Sequence, residues 1–270
     1  MKSKSIVIVV AAILAVSAAA IIINYGLSGD ESDAETTKFL IQDDKGVYFW
    51  IEGEGDDGFT ALDDACKKFD VPLSSSDSSY GKSIDSVFGL QMIGAGDIWT
   101  YWAQYSFIDG EWKVNEVSIE KVKTSEVEAI ALVYSSTGAA PAATPDDAKV
   151  WDHSTKGTVF TIESSSGLYF KVNGTGGKVI DAFINATAAY NIPFLPTGGS
   201  NPTGIDSIFG LETTMVEPIS DENPYGVYHW WIQKVRTADG TGWESASALM
   251  SQLNSSDTPE MKLVYGTEAF

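Results

Sequence analysis

The chain has one cysteine, one arginine and two histidines in 270 residues. Cys66 stands alone, so no intramolecular disulfide can form and the fold must be held by packing. With histidines only at 153 and 229, a serine triad, a cysteine–histidine pair and a two-histidine metal helix each lack parts. Glu52, Glu54, Asp56 and Asp57 crowd together, yet the spacing of a calcium loop with its distal Glu is absent. They read as solvated carboxylates ahead of a helix. The reading is therefore of a protein that is not an enzyme and has no cofactor and no metal site. Basic residues are scarce as well: 17 Lys and Arg face 37 Asp and Glu, a net charge of −20. Phosphate recognition needs a basic surface, so nucleic acid is excluded as a partner. A strongly acidic surface keeps an exported protein soluble.

Residues 5–29 carry no charge, residues 6–23 are apolar apart from Ser17, and Lys2 and Lys4 precede them. About 20 residues of helix cross a hydrocarbon core of ~30 Å. The run predicts a transmembrane helix over about residues 6–27, with the N-terminus cytoplasmic and the bulk of the chain extracellular. Cleavage as a signal peptide after Ala18-Ala19-Ala20 is the alternative for residues 1–30, although it would leave Ile21-Ile22-Ile23 at a new N-terminus.

Beyond this segment the chain repeats itself. Residues 39–90 align with 160–211 at a constant offset of 121 without a gap, and 17 of the 52 pairs are identical. A duplication of this length means two copies of one fold. The expected organisation is an acidic stalk over 31–38, repeat domain one over 39–135, a linker over 136–158 and repeat domain two over 159–267. The linker contains Ala139-Ala140-Pro141-Ala142-Ala143-Thr144-Pro145, a small-residue composition with few anchors for packing. Trp151 and His153 near its end either dock it onto a domain or are simply its last residues.

Each repeat opens with a hairpin. Val47, Phe49 and Ile51 alternate with Tyr48, Trp50 and Glu52, and Leu168, Phe170 and Val172 repeat the first face. Phe59, Leu62, Ala65, Cys66 and Phe69 then recur at helical spacing, as do Ile180, Phe183, Ala186 and Tyr190. Val71-Pro72 and Ile192-Pro193 stop both helices at matching places. Next come Ile84-Asp85-Ser86-Val87-Phe88-Gly89-Leu90 and its copy Ile205–Leu211, an aromatic strand, and a closing strand ending in Tyr134 or Tyr265. Hairpin, helix, then further strands predict an α+β class, one helix on a mixed or antiparallel sheet in each copy.

The turn motifs, with Trp99-Thr100-Tyr101-Trp102 in one copy and Trp230-Trp231 in the other, resemble small extracellular domains similar to the C-terminal domain of transcobalamin. The resemblance covers nearly all of both repeats. It implies two tandem β-grasp-like domains in an extracellular, often surface-anchored setting. Members joined to an α-barrel cap a corrinoid; the chain has no such barrel, and no ligand contacts carry over.

Among side chains that could bind, Trp102 with Gln104 and Trp231 with Gln233 share a Trp-x-Gln pattern. Alternation assigns Tyr101, Ala103 and Tyr105 to the helix side, leaving Trp102 and Gln104 outside as a stacking platform for a sugar or planar ligand. The competing reading packs both tryptophans between the domains or under a loop. Asp85 and Asp206, the acids kept in both copies, read as turn-stabilising. Asn173 and Asn254 begin glycosylation sequons, and a third, at Asn185, falls within the second helix. Two functions follow as expectations: a membrane-anchored extracellular module binding a small molecule, glycan or surface protein, or a structural or adhesive envelope protein with no small-molecule site.

Overall fold

The computed structural model describes residues 36–269 apart from 96–97, 153, 155, 218–226 and 238. The transmembrane helix expected over residues 6–27 lies outside the described residues. Among the described residues, no helix is long and apolar enough to cross a membrane.

The first half runs β1 (Thr36–Gln42), β2 (Tyr48–Glu54), α1 (Gly58–Lys68), β3 (Leu73–Ser78), β4 (Gly81–Val87), β5 (Leu90–Gln91), β6 (Ile93–Ala95), β7 (Ile98–Ile108), β8 (Glu111–Val114) and β9 (Ala129–Ser135). The second runs β10 (Thr158–Glu163), β11 (Tyr169–Gly174), α2 (Val179–Ala189), β12 (Phe194–Thr197), β13 (Gly204–Ile208), β14 (Leu211–Glu212), β15 (Thr214–Glu217), β16 (Val227–Arg236), β17 (Trp243–Ser245) and β18 (Glu260–Ala269). Each half has a six-stranded sheet, ordered β2-β1-β9-β7-β6 with β8 beside β7, and β11-β10-β18-β16-β15 with β17 beside β16. Each also has a three-stranded sheet, β3-β4-β5 or β12-β13-β14. The first and last strands of each large sheet pair in parallel, Leu40 with Ala131 and Thr161 with Lys262.

This corrects the expected α+β, β-grasp-like class. The described chain is mostly β, with four sheets and, among the described residues, two α-helices of 11 residues each. The small sheets carried little signal in the sequence because β3 reads Leu-Ser-Ser-Ser-Asp-Ser and has no apolar face. It is held by side-chain pairs instead: Ser74 and Ser86 hydroxyls lie 2.8 Å apart, and Ser76 Oγ donates to Asp85 at 2.8 Å. Asp85 thus braces a strand pair rather than a turn.

The helices form and stop where the periodicity and prolines place them. Asp57 caps α1, accepting from the Phe59 and Thr60 amides. Asp70 and Asn191 take a left-handed conformation just past the helices, and Val71 N–H and Ile192 N–H bond back to Cys66 and Thr187 carbonyls at 2.8 Å. Both helices rest on a glycine of the neighbouring strand. A Cβ at Gly53 would lie 2.2 Å from the Ala61 carbonyl oxygen, and one at the matching Gly174 would lie 2.0 Å from that of Ala182.

The shared motif is a hairpin. Val87 pairs with Leu90 around Phe88-Gly89, both at positive φ, and Ile208 pairs with Leu211 around Phe209-Gly210 in the same way. A bulky residue at positive φ is strained, and here it holds the two halves together. Phe88 meets Tyr169 edge-on at 4.6 Å, and Phe209 meets Tyr48 at 5.0 Å, a reciprocal pair. Between them Phe49 stacks on its own counterpart Phe170, at 5.3 Å and 8°. Ser166 Oγ also donates to Asp43 Oδ2 across the two hairpin loops at 2.7 Å. The helix-side cores of the halves therefore merge into one buried cluster, and residues 36–270 form one compact unit.

Candidate functional site

The Trp-x-Gln residues lie on the opposite face from the one expected. Trp102 is 4% exposed and Trp231 2%, both in the helix-side core. Each indole N–H donates to a carbonyl of the small sheet, Leu90 at 2.8 Å and Leu211 at 2.9 Å. The closing tyrosines do the same: Tyr134 donates to Gln91 and Tyr265 to Glu212, both at 2.8 Å. Trp and Tyr rings pack 5.2 Å apart in both copies. Aromatic strand, turn motif and closing tyrosine are thus one clamp fastening the small sheet to the large one. Both indoles are almost fully buried and offer no stacking face, although Trp102 and Gln104 border a surface pocket of about 560 Å³ together with Tyr101 and Tyr105; Gln233 is half-buried beside Trp231. Alternation failed as a guide because in the first half both faces of the sheet are apolar.

The second apolar face is covered by the segment expected to be a loose linker. Leu40, Trp50, Ala103, Tyr105, Phe107, Ala129, Ala131 and Val133 form a buried cluster on the side away from α1, with Ala143, Ala148 and Val150 packed over it. Side chains of the sheet hold the strap by its backbone. Tyr105 OH donates to the Ala139 carbonyl at 3.0 Å and Trp112 Nε1 to that of Ala143 at 2.9 Å. Gln42 accepts from the Ala142 amide at 2.7 Å.

The matching face of the second half is open. By the repeat offset and strand register, Leu40 corresponds to Thr161, Trp50 to Lys171, Ala131 to Lys262, Tyr105 to Lys234 and Phe107 to Arg236. Lys171, Thr161, Lys262 and Lys234 form one row across four neighbouring strands. A groove of about 500 Å³ runs over this face, with Trp151 and Trp243 among its walls. Arg236, the single arginine, lies 4.3 Å over the Trp243 ring, and Lys171 Nζ lies 5.7 Å over Trp151. Glu260 pairs with Arg236 at 2.7 Å, and Glu163 pairs with Lys262. The face therefore gathers four cations against two carboxylates in a chain that is otherwise strongly acidic. Comparing the two copies at these positions would have revealed the change from apolar to cationic residues.

Trp151 also borders an aromatic cavity of about 80 Å³ between the halves, lined by Phe49, Phe88, Phe170 and Phe209 among others. At its edge the Tyr48 hydroxyl is raised above its ordinary pKa, first by burial and then by the charge of Asp147. His153 lies outside the described residues.

Asn173 is buried and accepts the Tyr190 hydroxyl at 2.7 Å, so it is not open to glycosylation in the folded chain. Asn254 is exposed, and it accepts from Lys178 Nζ at 2.8 Å. Among the described residues no group of three or more His, Cys, Asp and Glu could hold a metal ion. Cys66 is buried on the core-facing side of α1, and burial pushes its thiol up to about 12. A thiol-selective reagent at pH 8 is expected to leave the folded protein unlabelled and to label one equivalent after denaturation. Rapid labelling of the folded protein would contradict this placement.

Compared with models of known protein families and with curated proteins, the chain matches none.

Proposed function

We propose that this is an exported binding protein, held at a membrane surface by its N-terminal segment, that takes an anionic ligand on the outer face of its second large sheet. One observation carries the reading: the two halves share a fold, yet the face that is apolar and strapped in one is cationic and open in the other. Cations concentrated on one face of a chain with charge −20 favour an anionic ligand through local complementarity. Trp151 and Trp243 supply flat apolar area at the groove walls. The uncharged run over residues 5–29 behind Lys2 and Lys4 supports the membrane placement, and its basic flank supports an extracellular position for the rest of the chain.

The test is a direct binding screen of the full-length protein against paired acidic and neutral glycans and peptides, at low and high salt. Acidic members are expected to bind, with affinity falling as salt rises, and Lys171→Glu with Lys234→Glu is expected to remove binding. Equal binding of neutral and acidic members would overturn the proposal. A structural or adhesive role is favoured by a different observation. Met92, just before β6, with Ile93, Ile98 and Trp99 on β6 and β7, leaves an exposed apolar ribbon, as Met215 and Val216 do on β15. In that case the screen would return no ligand while the protein self-associates.

A further inference from the structure

The strap across the first half shows how this fold holds a chain against the outer face of its large sheet. The strap is irregular, with one 3-10 turn over Pro145–Asp147, and is rich in Ala and Pro. Side-chain donors take its carbonyls, and Val150 bridges in parallel to Trp50 at its end. Two of those donor positions keep a donor in the second half. Trp112, cross-strand from Phe107, corresponds to Trp243, cross-strand from Arg236. Tyr105 corresponds to Lys234. Among the described residues Trp243 Nε1 has no acceptor, whereas Trp112 Nε1 is bound to the strap. The apolar contacts do not recur: Lys171 and Lys262 occupy the places of Trp50 and Ala131.

From this we infer that the open face of the second sheet is a docking site for an acidic peptide segment of a partner protein, laid across the sheet as residues 139–150 lie across the first. This rests on the proposed function and narrows its ligand. Trp243 Nε1 and Lys234 take backbone carbonyls, and the peptide's carboxylates meet Lys171, Lys262 and Arg236. The fold can accept a peptide here without rearrangement, because the equivalent face already carries one. The first strap carries acids only at Asp146 and Asp147, whereas the second face presents Lys171 and Lys234 with no ion pair among the described residues beside the paired Lys262 and Arg236, so additional acidity is what distinguishes the occupant.

The probe is a fluorescein-labelled peptide with the sequence of residues 139–148 carrying Ala140→Glu and Ala143→Glu, measured by polarisation against the full-length protein. The expected result is saturable binding, at least about tenfold tighter than for the same peptide with its four acids replaced by amides. Lys171→Glu with Lys234→Glu should abolish it. Trp243→Phe, which keeps a ring and removes the N–H, should weaken it severalfold. Circular dichroism melts establish that the variants fold. Independently of any variant, carbodiimide coupling of the acidic peptide to wild-type protein should link it to Lys171, Lys234 or Lys262, read by mass spectrometry. Coupling elsewhere, or equal binding of the amide peptide, would overturn the inference. An oligogalacturonate that binds this face while the peptide does not would overturn the inference and leave the proposed function standing. Failure of both probes would sink the two together.

Discussion

Trp102→Ala and Trp231→Ala are each expected to destabilise the protein by about 3–5 kcal/mol, the range for removing a buried aromatic. In a unit of this size that lowers the melting temperature by at least about 6 °C. The indoles are almost fully buried and fasten the small sheet to the large one through Leu90 and Leu211. Trp→Phe at the same positions retains most of the packing and leaves a carbonyl without its donor, for a smaller loss of about 1–3 kcal/mol. Thermal melts of the four variants check this ordering. Near-native melting of both alanine variants would mean that the indoles are not core residues.

The second large effect is expected where the helices touch the sheets. Gly53→Ala would set a methyl 2.2 Å from the Ala61 carbonyl oxygen and 2.4 Å from Ala65 N, and Gly174→Ala meets the same obstacle at Ala182. Those neighbours are helix backbone, which cannot rotate aside as a side chain does, so the whole helix must lift. Overpacking of this kind costs about 1–3 kcal/mol and here belongs at or above the top of that range. Gly177→Ala serves as the control. A Cβ there meets nothing within 4 Å and its φ is not positive, so its stability is expected to change little. Denaturant melts that place Gly53→Ala beside Gly177→Ala would show that the helices do not pack as described.

Much of the site depended on which copy was read. Thr161, Lys171 and Lys262 are unremarkable as single polar residues in strands. Their meaning emerges only when Leu40, Trp50 and Ala131 stand opposite them. The Trp-x-Gln pattern misled for a related reason. Alternation sorts a strand's side chains into two faces, but it identifies the buried one only if the other is polar. In β7 the residues 103, 105 and 107 are as apolar as Trp102, because residues 139–150 bury them. That strap was itself illegible. Small residues and prolines offer little surface to a contact, and its anchors are its own carbonyls, which no side-chain pattern reveals.

By itself the sequence determined the duplication, the two helices with their ends, and the positions of the hairpin turns. Each of these rests on contacts a few residues apart or on φ restrictions at single residues: Pro after the helices, Gly within the turns. Only the tertiary structure decided the mostly β class, the burial of Trp102 and Trp231, the joining of the halves through Phe49, Phe88, Phe170 and Phe209, and the covering of one large sheet but not the other. Those are pairings between residues up to about a hundred positions or more apart, such as Gln42 with Ala142 and Ser166 with Asp43. They depend on which surfaces meet once local structure has formed, and no local periodicity records that choice.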